Sequence, residues 1–302
     1  MTTTPYSIRR VLTFIGRRSF PYLLVAPTVI ALGFLMLYPI SRVIYISLWE
    51  NYLIVEHPAF AGIDNFRWLL QQREFPLIFS NTIVFTLASV GLHLLLGLAL
   101  AVLLSMRIQP HLRSLFRGLL IVPWMFTAAV VALLWNMMLN PFGIINAMLA
   151  RLGIMSLQAP LNWLGEPNLA LPGLIVINLW RGYPFVMLML LAALQSIPGE
   201  LYEAAAVDGA GKWHQFVHVT IPHIKPVIAS VGLLDAIWNV RLFDLVFLTT
   251  GGGPLNATHV MATYTYQLAF ERFEFGKASA MAVLILLVTS VLMVFYFRHQ
   301  KT

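Results

Sequence analysis

EAAAVDGAGKWHQFVHVTIPHIKP, Glu203–Pro226, is the most polar stretch in the second half of a 302-residue chain that is apolar almost everywhere else. Pro198 and Gly199 break the apolar run before it, and Glu200-Leu201-Tyr202-Glu203 then opens a short helix with carboxylates near its positive end. Asp208-Gly209 predicts a sharp turn, since glycine adopts positive φ without cost and aspartate bonds nearby backbone. A second short helix over about 211–219 groups Trp213, Phe216 and Val217, with Lys212, His214 and His218 elsewhere on its surface. Pro222 and Pro226 are expected to stop it before the next apolar run. Such a segment either rests on lipid headgroups or enters a groove of another protein. A headgroup binder is rich in Lys and Arg, whereas this one carries Glu200, Glu203 and Asp208 with few bases, which favours the groove.

The setting is a membrane protein. Hydrophobic residues make up 59% of the chain and charged ones 10%, against roughly 25% charged in an average soluble domain. The net charge of +7 is not gathered into interleaved basic and aromatic patches, so nucleic acid is not an expected partner. The chain has no cysteine, which excludes disulfides and thiolate metal sites. Arg9, Arg10, Arg17 and Arg18 precede an apolar run too long for a secretory signal, and a retained span is expected there. A helix needs about 20 apolar residues to cross a bilayer, and six segments qualify: about 21–48, 81–105, 115–139, 169–194, 226–250 and 277–297. An all-α polytopic domain of six spans thus accounts for the whole chain, with a cytoplasmic segment 1–20, a polar loop 200–222 and a tail 298–302. Basic residues favour the cytoplasmic face. With both termini inside, the inner segments hold Arg9, Arg10, Arg17, Arg18, Arg107, Arg113, Arg117, Lys212, Lys225, Arg298 and Lys301, against Arg42, Arg67, Arg73, Arg151, Arg181, Arg272 and Lys277 outside. That orientation puts the opening stretch in the cytoplasm.

Glu203-Ala204-Ala205, Asp208-Gly209-Ala210, Phe216, Pro222 and Pro226 resemble, at matching spacing, the EAA signature of the permease subunits of ATP-binding-cassette importers. Asn178–Pro184, Thr250–Pro254 and Tyr266–Phe270 look like the carbohydrate-importer branch, of the maltose and glycerol-phosphate type. Val219, where that family more often has isoleucine, is a departure without consequence. The resemblance implies the type I importer permease fold in a bacterial cytoplasmic membrane. It also implies a second, homologous permease, two ATP-binding-cassette subunits that hold the ATP and Mg, an extracytoplasmic solute-binding protein and a sugar-like solute. Glu203, Ala204, Ala205, Asp208, Gly209, Ala210 and Phe216 would form the coupling element.

Ionisable groups within a span are costly and mark function. The fifth span aligns Asp235, Trp238, Asn239 and Leu242 on one stripe, while Arg241 and Asp244 lie three apart and are expected to pair. An aromatic ring beside an amide and a carboxylate suits a pyranose, though Asp235 and Asn239 could equally bond a neighbouring helix. The resemblance places the solute at Trp124, Asn178, Arg181, Gly182, Asp235, Trp238 and Asn239. Arg181 would pair with Asp235 or receive an anionic group of the solute, the pair being preferred.

Other chemistry is absent. Gly209-Ala210-Gly211-Lys212 lacks the Ser or Thr, the spacing and the strand of a phosphate loop, so ATP binding by this chain is not expected. His214 and His218 have i, i+4 spacing without a third metal ligand, and His93 reads as an isolated helix contact. No catalytic constellation is legible. The rival function is a stand-alone ion-coupled transporter using Asp235 and Asp244.

Overall fold

The computed structural model describes residues 6–50, 54, 56–106, 109–156 and 158–299, and for 6–21, 23 and 299 their backbone alone. Parts of the expected N-terminal segment and C-terminal tail, together with Arg107 and Lys301, lie outside the described residues. The described chain is helical, with one isolated antiparallel bridge between Trp49 and Phe60. Apolar helices long enough to cross a membrane are α1 (Tyr6–Ser47, apolar from Leu24), α3 (Phe75–Ser105), α7 (Pro167–Gln195), the run Lys212–Val240 and α13 (Phe275–His299). The pair α4 (Pro110–Met125) and α5 (Ala128–Met138) is apolar and long enough for a sixth span only when taken together, and it is bent by 95° at the break; α2 (Asp64–Gln71), α6 (Ile144–Arg151) and α12 (Met261–Tyr266) are short.

That bend corrects the single straight span expected over 115–139. Pro123 removes a backbone donor from the last turn of α4, and Phe126 and Thr127 are extended (ψ 140° and 155°). The corner is held from outside: Phe126 stacks on Trp180 of α7 at 6.1 Å, and Trp135 of α5 meets the same ring edge-on at 6.0 Å.

The centre of the bundle is the contact between α3 and α7. Ile78, Thr82, Phe85, Ser89, His93, Gly97, Ala101 and Leu104 form one buried stripe of α3 at helical spacing. Gly97 is required there because a Cβ would lie 2.9 Å from Val186 and 3.0 Å from the Met187 backbone nitrogen, the close approach that small residues allow between membrane helices. α1 differs, exposing long runs of apolar side chains such as Leu35, Met36 and Leu37.

The polar stretch joins α7 to α10 (Ile221–Val240) through α8 (Gly199–Val207) and α9 (Lys212–Gln215). The second short helix does not end near 219. It continues through a π turn, Phe216–Thr220, into α10, making one rod from Lys212 to Val240 of about 43 Å. Pro222 and Pro226 therefore do not stop it. Ile221 N–H reaches back five residues to Phe216 O, and the widened turn admits the Pro222 ring that a regular α turn would exclude. The expected span 226–250 is interrupted instead at Arg241–Phe243, after which α11 (Asp244–Thr250) runs separately. At that end Asn81 Nδ2 donates to the carbonyls of Ala257 and His259 (3.1 Å each), tying the Gly251–Val260 loop to α3.

Candidate functional site

Two sites stand at opposite ends of α10. At its C-terminal half, α3, α4, α7 and α10 enclose a cavity of about 250 Å³ lined by His93, Trp124, Asn178, Arg181, Gly182, Asp235, Trp238, Asn239 and Leu242. All seven residues expected to face the solute are among them. His93, taken from the sequence as an isolated contact, is the residue that organises the rest.

His93 Nε2 donates to the Asn178 carbonyl at 3.0 Å, and Nδ1 lies 2.7 Å from Asp235 Oδ2. A carbonyl can only accept, so Nε2 carries a hydrogen, and the Nδ1–Oδ2 contact requires one more proton between its two atoms. Asn239 Nδ2 donates to Asp235 Oδ1 at 2.9 Å and to the Asp235 carbonyl at 2.8 Å, while Asn178 Nδ2 donates to Asn239 Oδ1 at 2.7 Å. The network spans three helices, and its members are at most 5% exposed. Both carboxylate oxygens of Asp235 are engaged, as buried charge demands. Gly182 belongs to the same device, since a Cβ there would run into the His93 ring.

Two sequence expectations are corrected. Arg181 does not pair with Asp235, because His93 and Asn239 occupy that carboxylate; its Nη2 instead approaches Asp244 Oδ2 at 3.5 Å. Asp244 accordingly is not paired with Arg241. No sequence spacing links His93 to Asp235 or Arg181 to Asp244, which are contacts between different helices.

The groups left facing the cavity are aromatic and cationic. Trp124 and Trp238 are 49% and 41% exposed and are braced by Phe185, whose ring lies 6.2 Å from the first and 4.8 Å from the second. Half-exposed rings lining a cavity suit a ligand with C–H surfaces, and the wall beside them is a fixed hydrogen-bonded lattice.

At the other end, α8 and α9 form an elbow. Gly209 (φ +79°) follows the last residues of α8; its N–H bonds Ala206 O at 3.1 Å and Ala210 N–H bonds Ala205 O at 2.8 Å, the paired pattern by which glycine closes a helix. Buried Gln215 donates from Nε2 to Ala210 O (3.0 Å), and Tyr202 Oη meets Thr220 Oγ1 at 2.9 Å. These bonds fix the angle between the two short helices. Glu203, Ala204 and Asp208 are exposed, as are Val207 and Trp213, the latter beside Phe216 at 5.8 Å. His214 and His218 stack at 4.0 Å, and among the described residues no group of three or more His, Asp or Glu side chains could hold a metal.

Residues 93–301 match the model of the family described as binding-protein-dependent transport system inner membrane component. The chain belongs to this family. The permease is 34% identical to the trehalose/maltose transport system permease protein MalF of Thermococcus litoralis over 87% of both chains. It is 32% identical to the sulfoquinovosyl glycerol transport system permease protein SmoG of Agrobacterium fabrum over 95% of this chain and 92% of that one. Among solved structures, a bacterial ABC transporter involved in import of the acidic polysaccharide alginate matches at a TM-score of 0.82 and 25% identity, covering 97% of the permease and 98% of its counterpart. The same kind of transporter in complex with an alginate pentasaccharide-bound periplasmic protein matches at 0.79. The protein is thus the permease subunit of an ABC importer of the inner membrane, and the stand-alone transporter reading finds no support.

Proposed function

We propose that the permease carries a saccharide or a close analogue, whether a sugar, an oligosaccharide, a polyol or an anionic sugar derivative, through the cavity between α3, α4, α7 and α10. The observation that carries this reading is the pair of half-exposed tryptophans set against a hydrogen-bonded wall, an arrangement made for ring C–H faces and for hydroxyl groups. Relatives named for trehalose/maltose and sulfoquinovosyl glycerol support it. Trp124, Arg181 and Trp238 meet the solute, while Asn178, Gly182, Asp235 and Asn239 hold the wall.

The rest of the machine is read from the family to which the chain belongs. A second, related permease completes the path, an external solute-binding protein delivers the solute, and two ATPase subunits bind the ATP and Mg and dock on the elbow. Glu203 anchors the elbow, Ala204, Ala205 and Ala210 allow close approach, Asp208 and Gly209 set its angle, and Phe216 with Trp213 seats it. Force applied there travels along the continuous rod Lys212–Val240 to Asp235 and Trp238, so the elbow and the cavity wall move as one body. Both termini and the elbow lie on the cytoplasmic side, and the Gly251–Val260 loop outside.

The test is reconstitution of the assembled transporter in liposomes. Saccharide uptake should require enclosed ATP and the binding protein and should be indifferent to ionophores; uptake by this chain alone along an ion gradient would refute the reading. Orientation is checked separately, because the chain has no cysteine. Cysteines placed at the exposed Val207 and Leu255 should label with an impermeant maleimide from the inner and the outer face respectively.

A further inference from the structure

We infer that the carried solute bears an anionic group, a carboxylate, sulfonate or phosphate, and that Arg181 receives it. This rests on the saccharide reading above and narrows it to a charged subclass.

The sequence offers Asp235 as an internal counter-charge for Arg181, and the structure removes it. Asp235 Oδ2 is taken by His93 at 2.7 Å and Oδ1 by Asn239 at 2.9 Å. One proton lies between His93 Nδ1 and Asp235, so the pair is neutral as a unit wherever that proton sits. Arg181 has five N–H donors, and its protein contact among the described residues is one approach to Asp244 at 3.5 Å, beyond the usual range for N–H···O bonds. Asp244 is itself 47% exposed along its side chain, and its Oδ1 accepts the Leu245 N–H at 2.8 Å, which divides the carboxylate between a backbone donor and Arg181. Arg241, exposed at the end of α10, makes no ion pair among the described residues. Arg181 and Arg241 against Asp244 leave one positive charge in excess at this end of the helix, and of the two arginines Arg181 is the one that lines the cavity. A planar fork with most donors unspent, beside two half-exposed tryptophans lining the same cavity, fits a sugar ring with an oxyanion attached.

The experiment uses the assembled transporter in liposomes with ATP inside and the cognate binding protein outside. Uptake of radiolabelled maltose, sulfoquinovosyl glycerol, glucose 6-phosphate and a uronate disaccharide is compared for wild type, R181Q, R181K and D244N, each shown to copurify with its partners. At least one anionic compound should be carried with higher kcat/KM than maltose. R181Q should lower that value by about 10- to 100-fold, R181K should keep part of it, and D244N should leave it equal or higher by freeing the guanidinium. Preference for maltose would overturn the inference and leave the saccharide reading intact. Equal losses in R181Q and D244N would also overturn it, by reducing Arg181 to a structural partner of Asp244. Uptake of none of the four would overturn the inference, whereas the saccharide reading falls only if no sugar, oligosaccharide or polyol is carried.

Discussion

In the cavity wall, Asp235, Asn178 and Asn239 are 5% exposed and His93 only 1%, in a chain where apolar side chains could have filled the same volume. At the elbow the pattern is inverted: Val207 and Trp213 stand 88% and 75% exposed beside the exposed Glu203 and Asp208. Buried polar groups are stable only when each is satisfied from within, and those of the wall are, through bonds of 2.7–3.0 Å that join α3, α7 and α10. Exposed apolar groups next to a fixed turn have no such internal remedy and offer a surface to a partner. The wall's polar groups are therefore satisfied within this chain, while on the reading proposed above the elbow is one half of a contact. The rod Lys212–Val240 links the two, and on that same proposed reading a site satisfied from within is moved by one that is not.

The sharpest difference should come from Gly209→Val. A β-branched side chain is strained at φ +79°, and the angle of the elbow would change with no effect on the wall. Uptake should be abolished while membrane insertion and solute binding persist; normal uptake would mean the elbow is not the point of entry for force.

His93→Ala attacks the other site. It leaves a buried carboxylate without its partner and should cost about 3–5 kcal/mol, read as a lowered unfolding temperature of the purified complex. Adding Asp235→Asn should restore part of that loss by removing the charge. A variant as stable as wild type would show that the wall does not depend on the pair.

Trp238→Ala should spare stability and assembly yet lower transport kcat/KM by about tenfold, the worth of one well-placed ring face. Failure of the complex to assemble would place Trp238 in the packing instead.

The smallest effect is at the loop beyond α11. Burial lowers the pKa of His259, with Glu271 and Glu74 opposing and Arg272 adding to the shift. The folded loop thus holds a neutral ring, and the unfolded chain binds the proton more readily. Stability from this residue is complete above the ordinary histidine value of about 6.5 and is lost as pH falls below it toward the lower folded value. The unfolding temperature should drop between pH 7 and 5, and His259→Gln should flatten that dependence.

The residues of the elbow were legible because its parts are local. Glu203 to Phe216 lie within four turns, the turn is set by Gly209, and their spacing alone carries the resemblance. Its continuation was not: Pro222 and Pro226 signal a stop, yet the π turn at Phe216–Thr220 accommodates the first and the second lies inside α10. For the cavity, the stripe Asp235, Trp238, Asn239 and Leu242 followed from helical spacing, and Trp124, Asn178, Arg181 and Gly182 from the resemblance. The partners did not follow, because His93 is 142 residues from Asp235.

Composition and span length by themselves determined that this is a helical membrane protein, since a backbone in lipid must satisfy its own hydrogen bonds. The motif spacing determined which family it joins. Which carboxylate neutralises which base was decided only in the folded bundle. Those pairings depend on which faces of α3, α7, α10 and α11 meet, and Gly97 and Gly182 allow the close approach of α3 and α7 within that packing.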